Sequence, residues 1–351
     1  MRSSAPGSTS APRVGVVLCA FNGERHLATQ LDSILGQTRS VDEIVLADDA
    51  STDATAAILA AFAQRARRQG VSVLLLENQR TLGCVQNFAA ALQRATADII
   101  LLCDQDDRWH PTRVQDCLGP FAADHSLLLL HADARLVDAT GTVMSASLFD
   151  TLRIHPAEIS LERSALPVDA LLLRNVVTGA TCALRRELLA LAMPMPSAWL
   201  HDEWLALIAA LHGGLDVQRA ASIDYRQHAG NHIGARRETL LQRIRRLDLL
   251  SREGRARMQQ RFAVLDQTLQ RQGVCLAPPR WTGLQAICWR MAASRLLLYR
   301  QAEVEWRWVL HDLTRLIGRV VAASWAGAGW RGPCAALHAA ALVALRRRLP
   351  A

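Results

Sequence analysis

The sequence predicts an α/β fold: a mostly parallel, Rossmann-like central sheet flanked by helices, with an α-helical C-terminal extension. Three observations predict it. Short apolar runs alternate four times with helical periodicity between residues 14 and 103, the order that builds a doubly wound parallel sheet. Each run then breaks into acids or amides: Asn22 and Glu24, Asp48 and Asp49, Asn78, and Asp104 to Asp107. Finally, Ile99–Cys103 is apolar throughout, as in a strand covered on both faces.

Val14–Ala20 reads as a buried strand ending in the turn Phe21-Asn22-Gly23-Glu24, and Leu27, Leu31, Ile34 and Leu35 continue at helical spacing to about Gln37. Ile44–Ala47 is a second strand. Ser51-Thr52-Asp53 can cap a helix over Ala54–Arg68. Val71–Leu76 is a third strand, Val85–Ala95 a helix, and Asp98–Cys103 the fourth strand. Right-handed crossovers bring the C-terminal ends of such strands to one edge, where open α/β sheets place their ligands. The acids and amides are therefore expected to line one crevice.

Beyond it, Pro111–Phe121 reads as helix and Leu127–His131 as strand. Thr140–Pro167 reads as loop, Val168–Leu173 is apolar, and Ala180–Leu184 is a strand. A helix from Arg185 stops before Pro194. Leu200–Leu211 is a helix with His201-Asp202-Glu203-Trp204 in its first turn. Asp216–Ile223 reads as an edge strand, followed by a polar loop containing Tyr225-Arg226-Gln227-His228 and Asn231. Residues 236–271 are arginine-rich with apolar residues at helical spacing, an amphipathic helix or helix pair.

The chain has 351 residues, half of them apolar, enough for a large core and one or two domains. All forty basic residues are arginine. Residues 1–234 carry 19 arginines against 25 acids, or −6; residues 235–351 carry 21 against 7, or +14. The second region also holds six of the nine tryptophans. Arg and Trp together suit a lipid headgroup layer, so the expectation there is either peripheral contact with an anionic membrane or a helical subdomain packed on the α/β core with solvated arginine faces. The organisation read from this is a disordered leader at 1–12, an α/β domain at 13–234 and an Arg/Trp-rich helical region at 235–351. Eight cysteines without metal-ligand spacing point to reduced thiols and a cytoplasmic setting. No uncharged apolar run reaches the ~20 residues of a spanning helix.

Three acids in four positions repel one another, and a divalent cation removes that cost. Oxygen ligands suit Mg²⁺ or Mn²⁺, with Asp104, Asp106 and Asp107 as candidate ligands. Such a cation could in turn hold a phosphate-bearing substrate. Alternative readings fit less well. A dinucleotide fold wants G-x-G-x-x-G after its first strand, which FNGE lacks. An EF-hand wants Gly where Trp109 stands. A nucleic-acid binder does not explain an acid-lined crevice.

The segments VGVVLCAFNGE (14–24), EIVLADDASTDAT (43–55) and DIILLCDQDDRW (98–109) resemble three successive motifs of the family 2 glycosyltransferases. NVVTGATCALRREL (175–188), HDEW (201–204) and YRQHAGN (225–231) resemble the bacterial rhamnosyltransferase-type members. The resemblance covers about residues 13–234 and implies the GT-A fold and inverting transfer of a sugar from a nucleotide-diphosphate donor. The implied acceptor is a saccharide, often lipid-linked, in surface-polysaccharide assembly. It implies nucleotide-sugar contacts from Ala20, Asn22, Glu24, Asp48, Asp49, Asp104, Arg226 and His228. Asp49 would meet a pyrimidine base; a deoxythymidine-diphosphate rhamnose donor is the reading from motif flavour. Asp202 would be the general base, with Gly179, Glu203 and Trp204 on the acceptor side. Glu203 is the rival base, and Trp204 is either a sugar-stacking surface or core. The competing enzyme class, a phosphatase of the haloacid dehalogenase type, needs Thr or Val where Arg108 stands.

Overall fold

The structure, a computed structural model, describes residues 11–152, 154, 168, 171, 175–228 and 252–273. These lie in the first of two compact units, Met1–Cys275. Residues 1–10 of the expected leader, most of 153–174, residues 229–251 with Asn231, and those beyond 273 lie outside the described residues.

The first half follows the predicted alternation. Strands β1 (Val14–Ala20), β2 (Glu43–Asp48), β3 (Ser72–Glu77) and β4 (Ile99–Cys103) alternate with helices α1 (Glu24–Leu35), α2 (Thr55–Arg68) and α3 (Cys84–Leu92). All four strands run parallel in the order β3-β2-β1-β4. The chain winds outward from β1 to β3 and returns to place β4 on β1's other side. The switch point, where an open sheet leaves its crevice, therefore lies between β1 and β4. Both strands are buried along their whole length, which is why their sequences are unbroken apolar runs.

The second half makes the sheet mixed. After β5 (Arg108–Trp109) and α4 (Arg113–Ala123) come the long β6 (Leu129–Val137), β7 (Val143–Ser145) and α5 (Leu148–Thr151). A 3₁₀ turn at Gly179–Thr181 leads into β8 (Ala183–Arg185), α6 (Glu187–Ala192), α7 (His201–Leu211) and β9 (Leu215–Arg226). Strand β8 is antiparallel to both β4 and β6, while β9 runs parallel to β6 and antiparallel to β5.

Three expectations are corrected. The stretch read as loop from Thr140 contains β7 and α5, organised by Asp133. Its Oδ1 accepts the N–H groups of Leu148 and Phe149 at 2.9 and 3.0 Å. Strand β9 is no edge, for it lies between β6 and β5. It also continues through Tyr225 and Arg226, which read as loop because their polar side chains break the apolar pattern.

The last described helix, α8 (Arg252–Arg271), packs on this α/β body through Leu265 and Leu269, 1% and 3% exposed. Among the described residues, no helix is long and apolar enough to cross a membrane.

Candidate active site

The crevice is built from turns at the ends of β1, β2 and β4. Asn22 takes a left-handed conformation (φ 48°) that Asn tolerates. Its Oδ1 accepts the Thr52 N–H at 2.8 Å, and Glu24 Oε2 accepts that of Ala54 at 3.0 Å. Both side chains thus tie the first turn to the second. Ala20 contributes a backbone carbonyl that accepts the Asp49 N–H at 2.8 Å.

Asp48 and Asp49 are buried, 4% and 3% exposed. Asp48 accepts bonds from the Ser51 hydroxyl and N–H, a turn role. Asp49 accepts from Asn78 Nδ2 (2.9 Å), the Leu82 N–H (2.7 Å) and the Gly83 N–H (2.9 Å). It organises the β3–α3 loop that walls the crevice.

The acidic loop does not behave as one block. Asp104 is half-buried; burial first, then the charges of Asp106 and Asp202, push its pKa up to about 7, against the pull of Arg113. Asp106 Oδ2 meets His228 Nε2 at 2.8 Å. Asp107 turns inward and is 1% exposed. Its Oδ1 accepts the Arg226 N–H at 3.0 Å, while Oδ2 is buried with no hydrogen-bond partner among the described residues. Burial and then Asp106 and Asp104 drive its pKa well above the carboxylate range.

Of the candidate ligands Asp104, Asp106 and Asp107, Asp107 is the one turned inward to the β9 backbone. Among the described residues, no three His, Cys, Asp or Glu side chains gather into a metal-holding group, because Asp107 faces the β9 backbone instead of its neighbours. The donor set still suits a hard cation that uses one or two protein ligands and completes its shell with phosphate oxygens and water. Asp104 carries a charge its surroundings oppose, and Asp106 and His228 already hold two donor atoms side by side.

Asp202 enters from the other side, in the first turn of α7, where a carboxylate is favoured by the helix dipole. Its Oδ2 accepts the Gly179 N–H at 2.9 Å and its Oδ1 the Glu203 N–H at 2.7 Å. Its charge is felt by Asp104, Cys84 and Cys182, so the helix turn faces the acidic loop. Gly179 must be glycine for this approach. A Cβ there would stand 2.8 Å from His201 Nε2 and 3.3 Å from Asp202 Cβ.

Other expected residues point elsewhere. Glu203 is 8% exposed and pairs with Arg261 of α8. Trp204 is 1% exposed, and its indole N–H donates to the Ala192 carbonyl at 2.8 Å. It is core and presents no face to a sugar. Arg226 Nε donates to the Asp106 carbonyl at 2.8 Å, and Nη1 to those of Asp138 and Ala139, both at 3.2 Å. The arginine braces the acidic loop from behind.

Sequence reasoning missed two residues that shape this site. Gln105 bonds both backbone groups of Phe21: Oε1 accepts its N–H at 2.8 Å, and Nε2 donates to its carbonyl at 3.1 Å. This joins the first turn to the acidic loop, and Gly23 leaves room for it, since a Cβ there would lie 2.3 Å from Oε1. Arg113 is 3% exposed beneath the loop, stacked 4.1 Å from the Trp109 ring centroid. It donates to the carbonyls of Ala180 (2.6 Å) and Leu102 (3.2 Å). The only sequence signal for it was an arginine at the start of a helix just after the acids.

The family model described as Glycosyl transferase family 2 matches residues 15–189. A Bacillus subtilis (strain 168) protein named as a glycosyltransferase, EpsE, is 35% identical over 106 residues, 30% of this chain and 37% of its own. Chondroitin synthase of Escherichia coli is 30% identical over 135 residues, 38% of this chain and 19% of that one. The chain thus spans well under half the length of either relative. Among solved structures, the mannosyltransferase PcManGT from Pyrobaculum calidifontis, in complex with GDP-Man and Mn²⁺, shares the fold. It has a TM-score of 0.51 and 20% identity, covering 97% of this chain and 83% of that one.

Proposed function

Because residues 15–189 form a glycosyl transferase family 2 domain with the GT-A fold, we propose that this chain transfers a sugar, with inversion, from a nucleotide-diphosphate sugar to an acceptor hydroxyl. Asp202 acts as general base. The observation that carries the reading is the convergence of Asp104, at the end of β4, and Asp202, at the start of α7, on one crevice at the sheet's switch point.

The donor lies across the ends of β1 and β4, its nucleotide toward the Asp49-organised wall and its diphosphate toward Asp104 and Asp106. Mg²⁺ or Mn²⁺, bound there, supplies charge stabilisation to the departing nucleoside diphosphate. Asp104 and Asp106 would hold it, with His228 beside them. Asp202 takes the proton from the acceptor hydroxyl as that oxygen attacks the anomeric carbon from the opposite face. The Gly179 N–H orients the carboxylate through Oδ2.

The acceptor is a saccharide, lipid-linked at the inner face of a membrane, in polysaccharide assembly. The chondroitin synthase relative, whose name denotes a polysaccharide product, and the +14 charge of residues 235–351 support this. A pyrimidine nucleotide, and rhamnose as the sugar, follow the motif resemblance.

The test is release of nucleotide from a panel of UDP-, GDP- and dTDP-sugars with Mn²⁺ or Mg²⁺, supplied with saccharide acceptors. One donor, turned over only with metal and yielding the opposite anomer, is expected. A folded protein that releases nucleotide from none of them would overturn the reading.

A further inference from the structure

The catalytic turn of α7 is clamped from behind by a residue outside the matched domain. Arg261 of α8 pairs with Glu203, the neighbour of Asp202. Its guanidinium lies 3.8 Å from the centroid of the Trp199 ring, and its carbonyl accepts the Trp199 indole N–H at 3.2 Å. Trp199 in turn leans on Trp204, with centroids 5.9 Å apart. The arginine is thus held at both backbone and side chain by Trp199 and Glu203, residues around the start of α7.

Glu203 is a buried carboxylate at 8% exposure. Burial raises its pKa, and Arg261 is the cation that opposes the rise. A carboxylate left there without its partner either protonates or moves toward water. Its backbone cannot move alone, because the Glu203 N–H is bonded to Asp202 Oδ1 at 2.7 Å. On the crevice side the turn has no slack, since Gly179 already sits too close for a Cβ.

We propose that Arg261 is a positioning residue for Asp202, holding the first turn of α7 against the Gly179 turn through its pair with Glu203. This rests on Asp202 as the base. It assigns to α8 a part in the transfer step.

The experiment compares full-length wild type with Arg261→Met, Arg261→Lys and the double variant Arg261→Met/Glu203→Gln. Hydrogen exchange at the Gly179 amide, which donates to Asp202, is read first. Arg261→Met is expected to speed it about tenfold, while amides of β1 stay protected. Arg261→Lys and the double variant are expected to stay within threefold of wild type, since one keeps the charge and the other removes the need for it. Release of nucleotide from UDP-GlcNAc, GDP-mannose or dTDP-rhamnose with Mn²⁺, whichever turns over, is read second. Arg261→Met should lower kcat about tenfold with less than a twofold change in donor KM.

Unchanged Gly179 exchange in Arg261→Met overturns the proposal. So does a loss of kcat that neither Arg261→Lys nor the double variant restores, because that marks a merely structural role. If Arg261→Met does not fold, the double variant decides: rapid exchange at Gly179 in it counts against the proposal, wild-type exchange for it. Asp202→Asn is run alongside. Normal turnover in that variant removes the base assignment and leaves the exchange result standing by itself.

Discussion

Asp202 Oδ2 accepts the backbone N–H of Gly179 at 2.9 Å, joining the first turn of α7 to the 3₁₀ turn that precedes β8. Asp202→Asn keeps the shape but replaces an acceptor of protons with an amide. It is expected to retain donor binding by calorimetry while transfer falls by about 10²–10⁴-fold, the span usual for general-base catalysis.

Gly179→Ala tests the same contact from the other side. The added Cβ would meet His201 Nε2 at 2.8 Å, and His201 cannot swing away because its ring stacks on Phe88 at 4.1 Å. Lower kcat is expected, together with a stability loss of about 1–3 kcal/mol from overpacking, read by denaturant titration.

Arg113→Met removes the buried cation under the acidic loop and leaves the carbonyls of Ala180 and Leu102 without their donor. Loss of about 2–4 kcal/mol is expected, since each buried acceptor left unpaired costs about 1–3 kcal/mol. Thermal unfolding measures it.

Trp204→Phe separates core from binding surface. The ring is fully enclosed and its indole N–H is bonded to Ala192. The variant should unfold at lower temperature with acceptor KM unchanged. A raised acceptor KM at equal stability would return the tryptophan to the acceptor site.

Asp224 gives a pH prediction. Burial pushes its pKa up, but bonds from Arg135 and His110 outweigh this and the net shift is downward. A lowered folded-state pKa contributes stability above the unfolded value of about 3.9 and loses it as pH falls through the folded one. Asp224→Asn should therefore lower the melting temperature at pH 7, and the gap from wild type should close below about pH 4.

Much of the first half was legible in the chain. β1 and β4 are buried end to end, so burial itself wrote the unbroken apolar runs, and the acids that end them mark the crevice. The second half was less so. Strand β9 mixes buried and exposed residues without a regular alternation and carries Asp224 and Arg226, whose partners lie beside β5, on β6 and in the acidic loop. Without those partners in view, its polar residues read as a loop. Gln105 was missed and Trp204 left open for a related reason: an amide between two acids and an aromatic beside a carboxylate each fit either a ligand or a neighbour.

Residue order alone determined the strand–helix alternation of the first half, the buried runs of β1, β2 and β4, and the carboxylates Asp104 and Asp202 beside the ends of elements. Hydrophobic periodicity is local, and the chain records it directly. Only the tertiary structure decided that Asp107 faces the β9 backbone, that Glu203 belongs to Arg261 rather than to an acceptor, and that Arg113 lies under the loop. Those are pairings between residues 11 to 119 positions apart, formed because buried charges and amides must find partners once the core has closed over them.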